Sequence, residues 1–415
     1  MQNLKYSIKE NLFFLLGLFS TIQLLSIDGI TVFNLLLIAV GIVFFFQKKI
    51  KFNKYSIFFF TATIITTVLA ISNNDLSDEF RIGAITGGVL RVLVLCVYIL
   101  LNEKLALAYT RGFKISCILT LIWSYLQEIV YMLANLDLNN AIFGGLLGIN
   151  GANSLGADGE FVPTGFFTHR GILLPILLFL FFSTSNIYFI LVVVLLAVLS
   201  RATALILGLL VAIGLRAAAY KFENRANKIQ RKQFISALAC IFMVILFAAF
   251  FNKEIAEIIN YVIVRISDAT TNKADNSSVV HFLYYKNMPA IISNMDFIHI
   301  LFGTGMGTSG QHYTWFNGQY ANLGAWVVES DYIDILLSQG IIGFIVNAYL
   351  LIRIIVLSKK YKYWENIAFI IVIAFVGIMY NIQFNWIIVF EMAMLILTKN
   401  GIRVFRKNDI NEARS

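Results

Sequence analysis

The chain reads as an all-α polytopic membrane protein, and three observations predict it. Of its 415 residues 59% are apolar and only 13% charged, with a mean hydropathy of +0.80; soluble domains carry roughly 45–50% apolar and about 25% charged residues. The apolar residues fall in runs suited to helices, since crossing a hydrocarbon core of about 30 Å takes roughly 20 residues. Finally, basic residues crowd into every second gap between the runs, as the positive-inside rule expects of a membrane protein.

The sequence supports about 12 transmembrane helices in a single integral membrane domain over 1–415. They run approximately over 11–27, 30–46, 55–71, 85–101, 115–134, 171–184, 186–200, 203–217, 235–251, 333–356, 365–380 and 382–398. The first run has no small-residue cleavage site after it and is expected to stay as a signal anchor. With both termini in the cytoplasm, the inner gaps hold Lys5 and Lys9, the segment QKKIKFNK (47–54), Lys104, Arg111 and Lys114. They also hold Arg216 to Lys232, Arg353 to Lys362 and Lys399 to Arg414, so that 24 of the 32 basic residues lie inside. Shifting the frame by one helix reverses the bias. The net charge of +9 is thereby explained by topology, and nucleic-acid binding loses its support. Cys96, Cys117 and Cys240 lie in apolar runs without metal-site spacing and are expected to be small buried hydrophobes.

Three outer segments break the apolar pattern. NNDLSDEFRIGAITGG (73–88) is a polar hairpin leading into a helix that carries Arg91 about two turns below the surface. The 135–170 segment is rich in Gly and Asn and reads as a loop with turns. The longest is a large outer loop over 252–332, whose aromatic content argues for order. Within it EIAEIINYVIVRI (254–266) has the spacing of an amphipathic helix at the membrane surface. GTGMG (303–307) lacks the strand–helix context of a nucleotide loop and reads as a tight turn.

The basic residues that topology leaves unexplained include Arg91, Arg170, Arg201 and Arg265, all toward the outer face. Arginine holds phosphate through paired hydrogen bonds at any relevant pH, so these four are candidates for a diphosphate site; pairing with lipid headgroups or carboxylates is the plainer alternative. Glu329, Asp331 and Asp334 lie before and inside the tenth run, where a carboxylate can act as general base. Pairing with the arginines is again the alternative. The four histidines (His169, His281, His299, His312) lack metal-binding spacing, and His169, followed by Arg170, is the best single candidate. No cofactor or metal is implied.

On PTGFFTHRG (163–171), LSRATALILGLL (199–210), the long outer loop, ILFGTGMG (300–307) and ESDYIDILLSQGIIGFI (329–345), the chain resembles the O-antigen polymerase (Wzy-type) and O-antigen ligase superfamily over nearly its full length. Ligases of that family begin the last motif with histidine–asparagine, eleven residues before the glycine that here is Gly340. Glu329 stands at that position, which favours a polymerase. The same matching places Arg201 on the family's Ser-Arg motif and Arg265 on a basic residue of the large loop. His281 stands before YYKNMPAII, where relatives often carry arginine. The resemblance implies a metal-independent glycosyltransferase of GT-C type at the periplasmic face of a bacterial inner membrane, joining undecaprenyl diphosphate-linked oligosaccharide repeats. A chain-length regulator is the implied protein partner. A ligase acting on lipid A core is the nearest alternative, and a flippase of lipid-linked oligosaccharide is the alternative of another class.

Overall fold

The computed structural model describes residues 8–27, 30–47, 50–73, 76–149, 161–167, 172–184, 186–200, 203–223, 276–310, 330–378, 380–382 and 384–405. These are mostly helical. In chain order come α1 (Ile8–Leu18), α2 (Val32–Phe45), α3 (Lys54–Ser72), α4 (Asp78–Leu100), α5 (Glu103–Ala134), α6 (Leu173–Ser183), α7 (Ile187–Leu199) and α8 (Thr203–Glu223). After the undescribed stretch follow α9 (Asn276–Ser293), α10 (Phe297–Phe302), α11 (Asp331–Lys360), α12 (Trp364–Val376) and α13 (Asn385–Lys399). Four of them, α3, α4, α5 and α11, are long and apolar enough to cross a membrane, and α2, α6, α7, α8 and α12 hold shorter apolar stretches.

Two helices differ most from their expected bounds, while α4 already starts at Asp78, within the expected polar hairpin, and α8 runs on to Glu223. The run over 11–27 is helical only to Leu18, because a short antiparallel pair, β1 (Ser26–Ile27) with β2 (Ile30–Thr31), turns the chain into α2. The run expected at 115–134 begins at Glu103, so Lys104, Arg111 and Lys114 sit on α5 itself. The expected span 235–251, the surface helix 254–266 and most of the 252–332 loop lie outside the described residues. Of the second loop, 135–170, a π-helical turn (Asn140–Leu146) is described. It folds back on α5: Trp123 donates to Asn139 Oδ1 at 2.8 Å, and Asn139 donates to Thr164 Oγ1 and Gly165 O.

Side-chain oxygens start some of the helices. Thr31, Asn53 and Asn102 accept the backbone N–H groups of Asn34, Ser56 and Leu105, filling donors that a helix N-terminus leaves open. The helices α1 and α5 then cross at Gly17 and Gly112. A Cβ on Gly17 would lie 2.1 Å from Tyr109 O, and one on Gly112 2.0 Å from Phe14 O. Small residues let two backbones touch where water drives nothing together. Beside this crossing Ser20 bonds Tyr109, and Thr21 bonds Ser116 and Thr120.

Exposed apolar residues recur at helical spacing on α3 (Ile57, Phe60, Ile64, Val68, Ile71) and α11 (Ile341, Ile345, Ile352, Val356). Such stripes suit hydrocarbon better than water. The bundle has two chemically distinct ends. At one, Tyr361 and Tyr363 bond the carbonyls of Lys399 and Gly401, and Arg403 pairs with Glu365 at 2.6 Å. At the other lie the starts of α11 and α13 and the acidic first turn of α4. Arg216, counted above with the solvated inner cations, is instead buried, 1% exposed, and donates to Phe181 O and Thr184 O past the end of α6, its guanidinium 4.8 Å from the Phe181 ring. It closes a helix C-terminus, where cations are favoured.

Candidate functional site

Two of the sequence motifs lock together. The backbone of α11 leaves helical geometry at Gly340 (φ 68°, ψ −172°), a conformation essentially reserved for glycine. The break costs the carbonyls of Leu337 and Ser338 the partners a continuous helix would give them. Thr304 N–H donates to Leu337 O at 3.1 Å and Gly305 N–H to Ser338 O at 2.9 Å. The fit leaves no room for side chains: a Cβ on Gly340 would lie 2.3 Å from the Leu301 carbonyl, and one on Gly303 2.3 Å from Gln339 N. The GTGMG segment is therefore a tight turn as expected, with Gly303, Gly305 and Gly307 at positive φ. It is also a wedge: Thr304, Thr308 and Ser309 are at most 1% exposed, and Thr66 of α3 bonds Phe302 O at 2.8 Å. Irregular backbone among apolar helices survives only where protein covers it and satisfies it.

The wedge delivers Ser309 to Asp334. Ser309 Oγ donates to Asp334 Oδ1 at 2.5 Å, and Asn381 Nδ2, from the loop between α12 and α13, donates to Oδ2 at 3.0 Å. The half-buried Asp334 carboxylate thus holds neutral donors on both oxygens, and it faces Arg91 of α4. Arg91 is 4% exposed, and its Nε and Nη1 meet no acceptor among the described residues. Around the buried guanidinium stand the carboxylates Asp334 and Asp331 of α11 and Glu391 of α13, and the neutral Tyr55 hydroxyl of α3. A buried guanidinium costs several kcal/mol unless opposite charge stands close. Asp334 supplies opposite charge to Arg91 through the buried interior, with no ion pair or hydrogen bond between the two side chains among the described residues.

Asp331 does different work. Its Oδ1 accepts the Ile382 N–H at 2.7 Å and its own N–H donates to Gly377 O at 2.9 Å, so it ties the start of α11 to the loop that carries Asn381. Tyr285 of α9 adds a second tie, bonding Ser330 Oγ at 2.8 Å and Ile378 O at 2.6 Å. His299 is held by Asp296, the N-cap of α10, which accepts both the His299 N–H at 2.9 Å and its Nδ1 at 2.5 Å. That backbone N–H, with the imidazole second, holds the Asp296 carboxyl below the usual range.

Of the residues singled out in the sequence, the structure brings together Arg91, Asp331 and Asp334. Glu329, His169, Arg170, Arg201 and Arg265 lie outside the described residues, and of His281 only the helical backbone, on α9, is described. Sequence reasoning missed Ser309, Asn381, Tyr55 and Glu391. Glu391 carried a usable signal, a lone carboxylate inside the last apolar run, and it is 1% exposed on α13. Neutral Ser309 and Asn381 carried none.

Fold and site together define a helical membrane protein with a charged cluster buried among its membrane-length helices. Compared with protein-family models and with curated protein sequences, the chain matches none.

Proposed function

We propose that the chain is an O-antigen polymerase of Wzy type, a metal-independent GT-C glycosyltransferase of about 12 spans in a bacterial inner membrane. In this reading it moves a growing glycan from undecaprenyl diphosphate onto a sugar hydroxyl of another lipid-linked repeat, at the periplasmic face and with both termini cytoplasmic. A chain-length regulator is its partner. The observation that carries the reading is the Asp334 carboxylate held by Ser309 and Asn381 beside the buried Arg91, built where ILFGTGMG and the DYIDILLSQG part of the second motif interlock, the two motifs that also carry the family resemblance.

The roles follow from the bonding. Asp331 accepts a backbone N–H while Asp334 holds only neutral side-chain donors, which makes Asp334 the described carboxylate better suited to receive a proton from an acceptor hydroxyl, with Asp331, Glu329 and His169 as the other candidates. Arg91 has N–H donors unspent on described protein groups. Guanidinium groups offset the charge of a leaving diphosphate, and Arg201, Arg265 and Arg170 are the further phosphate ligands in this reading.

Incubating purified protein with lipid-linked repeats, first alone and then with lipid A core, tests the assignment. A glycan ladder without core is expected. Product only with core reassigns the chain to a ligase, and transport without any new glycosidic bond reassigns it to a flippase.

A further inference from the structure

The end of the bundle opposite the candidate site carries a second built feature, the turn from α11 into α12. Tyr363 N–H donates to Ser358 O at 2.8 Å and Lys362 N–H to Lys359 O at 3.2 Å, the paired bonds that close a helix when the residue after its cap is left-handed. That residue is Lys362, at φ 59°. Glycine ordinarily takes such a position, because a Cβ is unfavourable there. The strain is accepted at the tip of a turn that already carries Lys359 and Lys360, all three of them exposed. The turn itself gains nothing from a lysine; the gain is charge.

Two tyrosines brace this turn against the end of α13. Tyr361 and Tyr363 stack at 5.8 Å, and their hydroxyls donate to Lys399 O and Gly401 O, which sets the exposed Lys399 beside the turn. Lys360 Nζ lies 5.1 Å from the centre of the Tyr361 ring, a cation–π contact. Glu365, the carboxylate nearest in sequence, is 3% exposed and paired with Arg403 at 2.6 Å, so its charge is already matched. The sequence over 406–415 adds Arg406, Lys407 and Arg414 against Asp409 and Glu412, which leaves the positive balance standing.

The surface leading to these cations is apolar. Ile345, Ile352 and Val356 are exposed on α11. Lys359 and Lys360 follow Val356 by three and four residues, hence on the same face and about 4.5–6 Å further along the axis. An apolar stripe that ends in clustered ammonium groups matches an anionic phospholipid, its acyl chain along the stripe and its phosphodiester at the lysines. A soluble anion would use the lysines and leave the stripe without a role. We infer that the turn over 359–363, together with Lys399, is a binding site for the headgroup of an anionic phospholipid in the leaflet at that end of the bundle. The inference is independent of the polymerase reading.

Lipid titration of the detergent-purified protein tests it, read as bound lipid by native mass spectrometry and as the thermal unfolding midpoint. Phosphatidylglycerol is expected to bind and to raise the midpoint, and phosphatidylcholine and inorganic phosphate to do neither. Lys362→Gly relieves the left-handed strain while removing one cation, so the lipid-free midpoint should stay at or above the parent's while phosphatidylglycerol affinity falls about 5-fold. The double change Lys359→Gln with Lys360→Gln should lower that affinity about 25-fold. Removing two charges elsewhere, by Lys51→Gln with Lys54→Gln at exposed positions before and at the start of α3, should leave it nearly unchanged. Undiminished affinity in either turn variant overturns the site, and so does a loss from the α3 variant equal to that of the double turn variant, which would mean a diffusely attractive face. Equal binding of phosphatidylcholine, a midpoint rise reproduced by inorganic phosphate, or no effect of phosphatidylglycerol on the parent protein would each overturn it as well.

Discussion

Asp331 and Asp334 stand three positions apart on one helix, and their bonding separates their roles. Asp331 accepts a backbone N–H from Ile382; replacing it by Ala strands that buried donor, at about 1–3 kcal/mol. Asp331→Ala should lower the thermal unfolding midpoint of the purified protein and loosen the α12–α13 loop. The Asp334 carboxylate accepts only side-chain donors among the described residues, from Ser309 and Asn381. The near-isosteric Asp334→Asn keeps shape and removes the charge, so under the polymerase reading it should cut ladder formation by about 100-fold or more while moving the midpoint less than Asp331→Ala. Ladders at the parent rate from Asp334→Asn would remove Asp334 from the chemistry.

Among elements, the interlock of α11 with the 303–310 turn governs whether that site exists at all. Gly340 needs both a positive φ and the absence of a Cβ, since Leu301 backbone occupies the space. Gly340→Ala therefore combines backbone strain with a clash, on the order of 3 kcal/mol or more. The expected outcome is loss of folded protein, read as early unfolding in a detergent thermal scan. If α11 instead straightens, Leu337 and Ser338 regain helical partners and the turn is released, which hydrogen exchange at Thr304 and Gly305 would report. Unchanged stability and unchanged exchange would mean that the interlock contributes nothing.

Over the whole molecule, the two ends of the bundle differ in chemistry. One gathers Lys359, Lys360 and Lys399 at helix C-termini, and the other gathers Asp78, Glu79 and the Asp334 cluster at helix starts. The positive-inside rule predicts that the first end faces the cytoplasm. Single cysteines placed at Lys362 and at Glu79, both exposed, should accordingly react with a membrane-impermeant maleimide from opposite sides, the Glu79 position from outside intact cells. Labelling of both from one side would overturn the orientation and with it the periplasmic placement of the site.

Much of this architecture was legible from residues alone, because burial in a hydrocarbon solvent writes itself into long apolar runs. Helices α2 to α8 and α11 to α13 all fall on such runs, and a charged residue inside one, such as Arg91 or Asp334, stands out because leaving it there unpaired is costly. The tight turn at 303–307 was equally readable, since its glycines announce positive φ. The sequence could not say that the turn inserts between α3, α4 and α11, because a carbonyl freed at Gly340 leaves no mark in composition. Nor could it separate Asp331 from Asp334, or recruit Ser309 and Asn381. These assignments depend on which donors arrive from elements 25 to 51 residues distant, and only tertiary packing decides that.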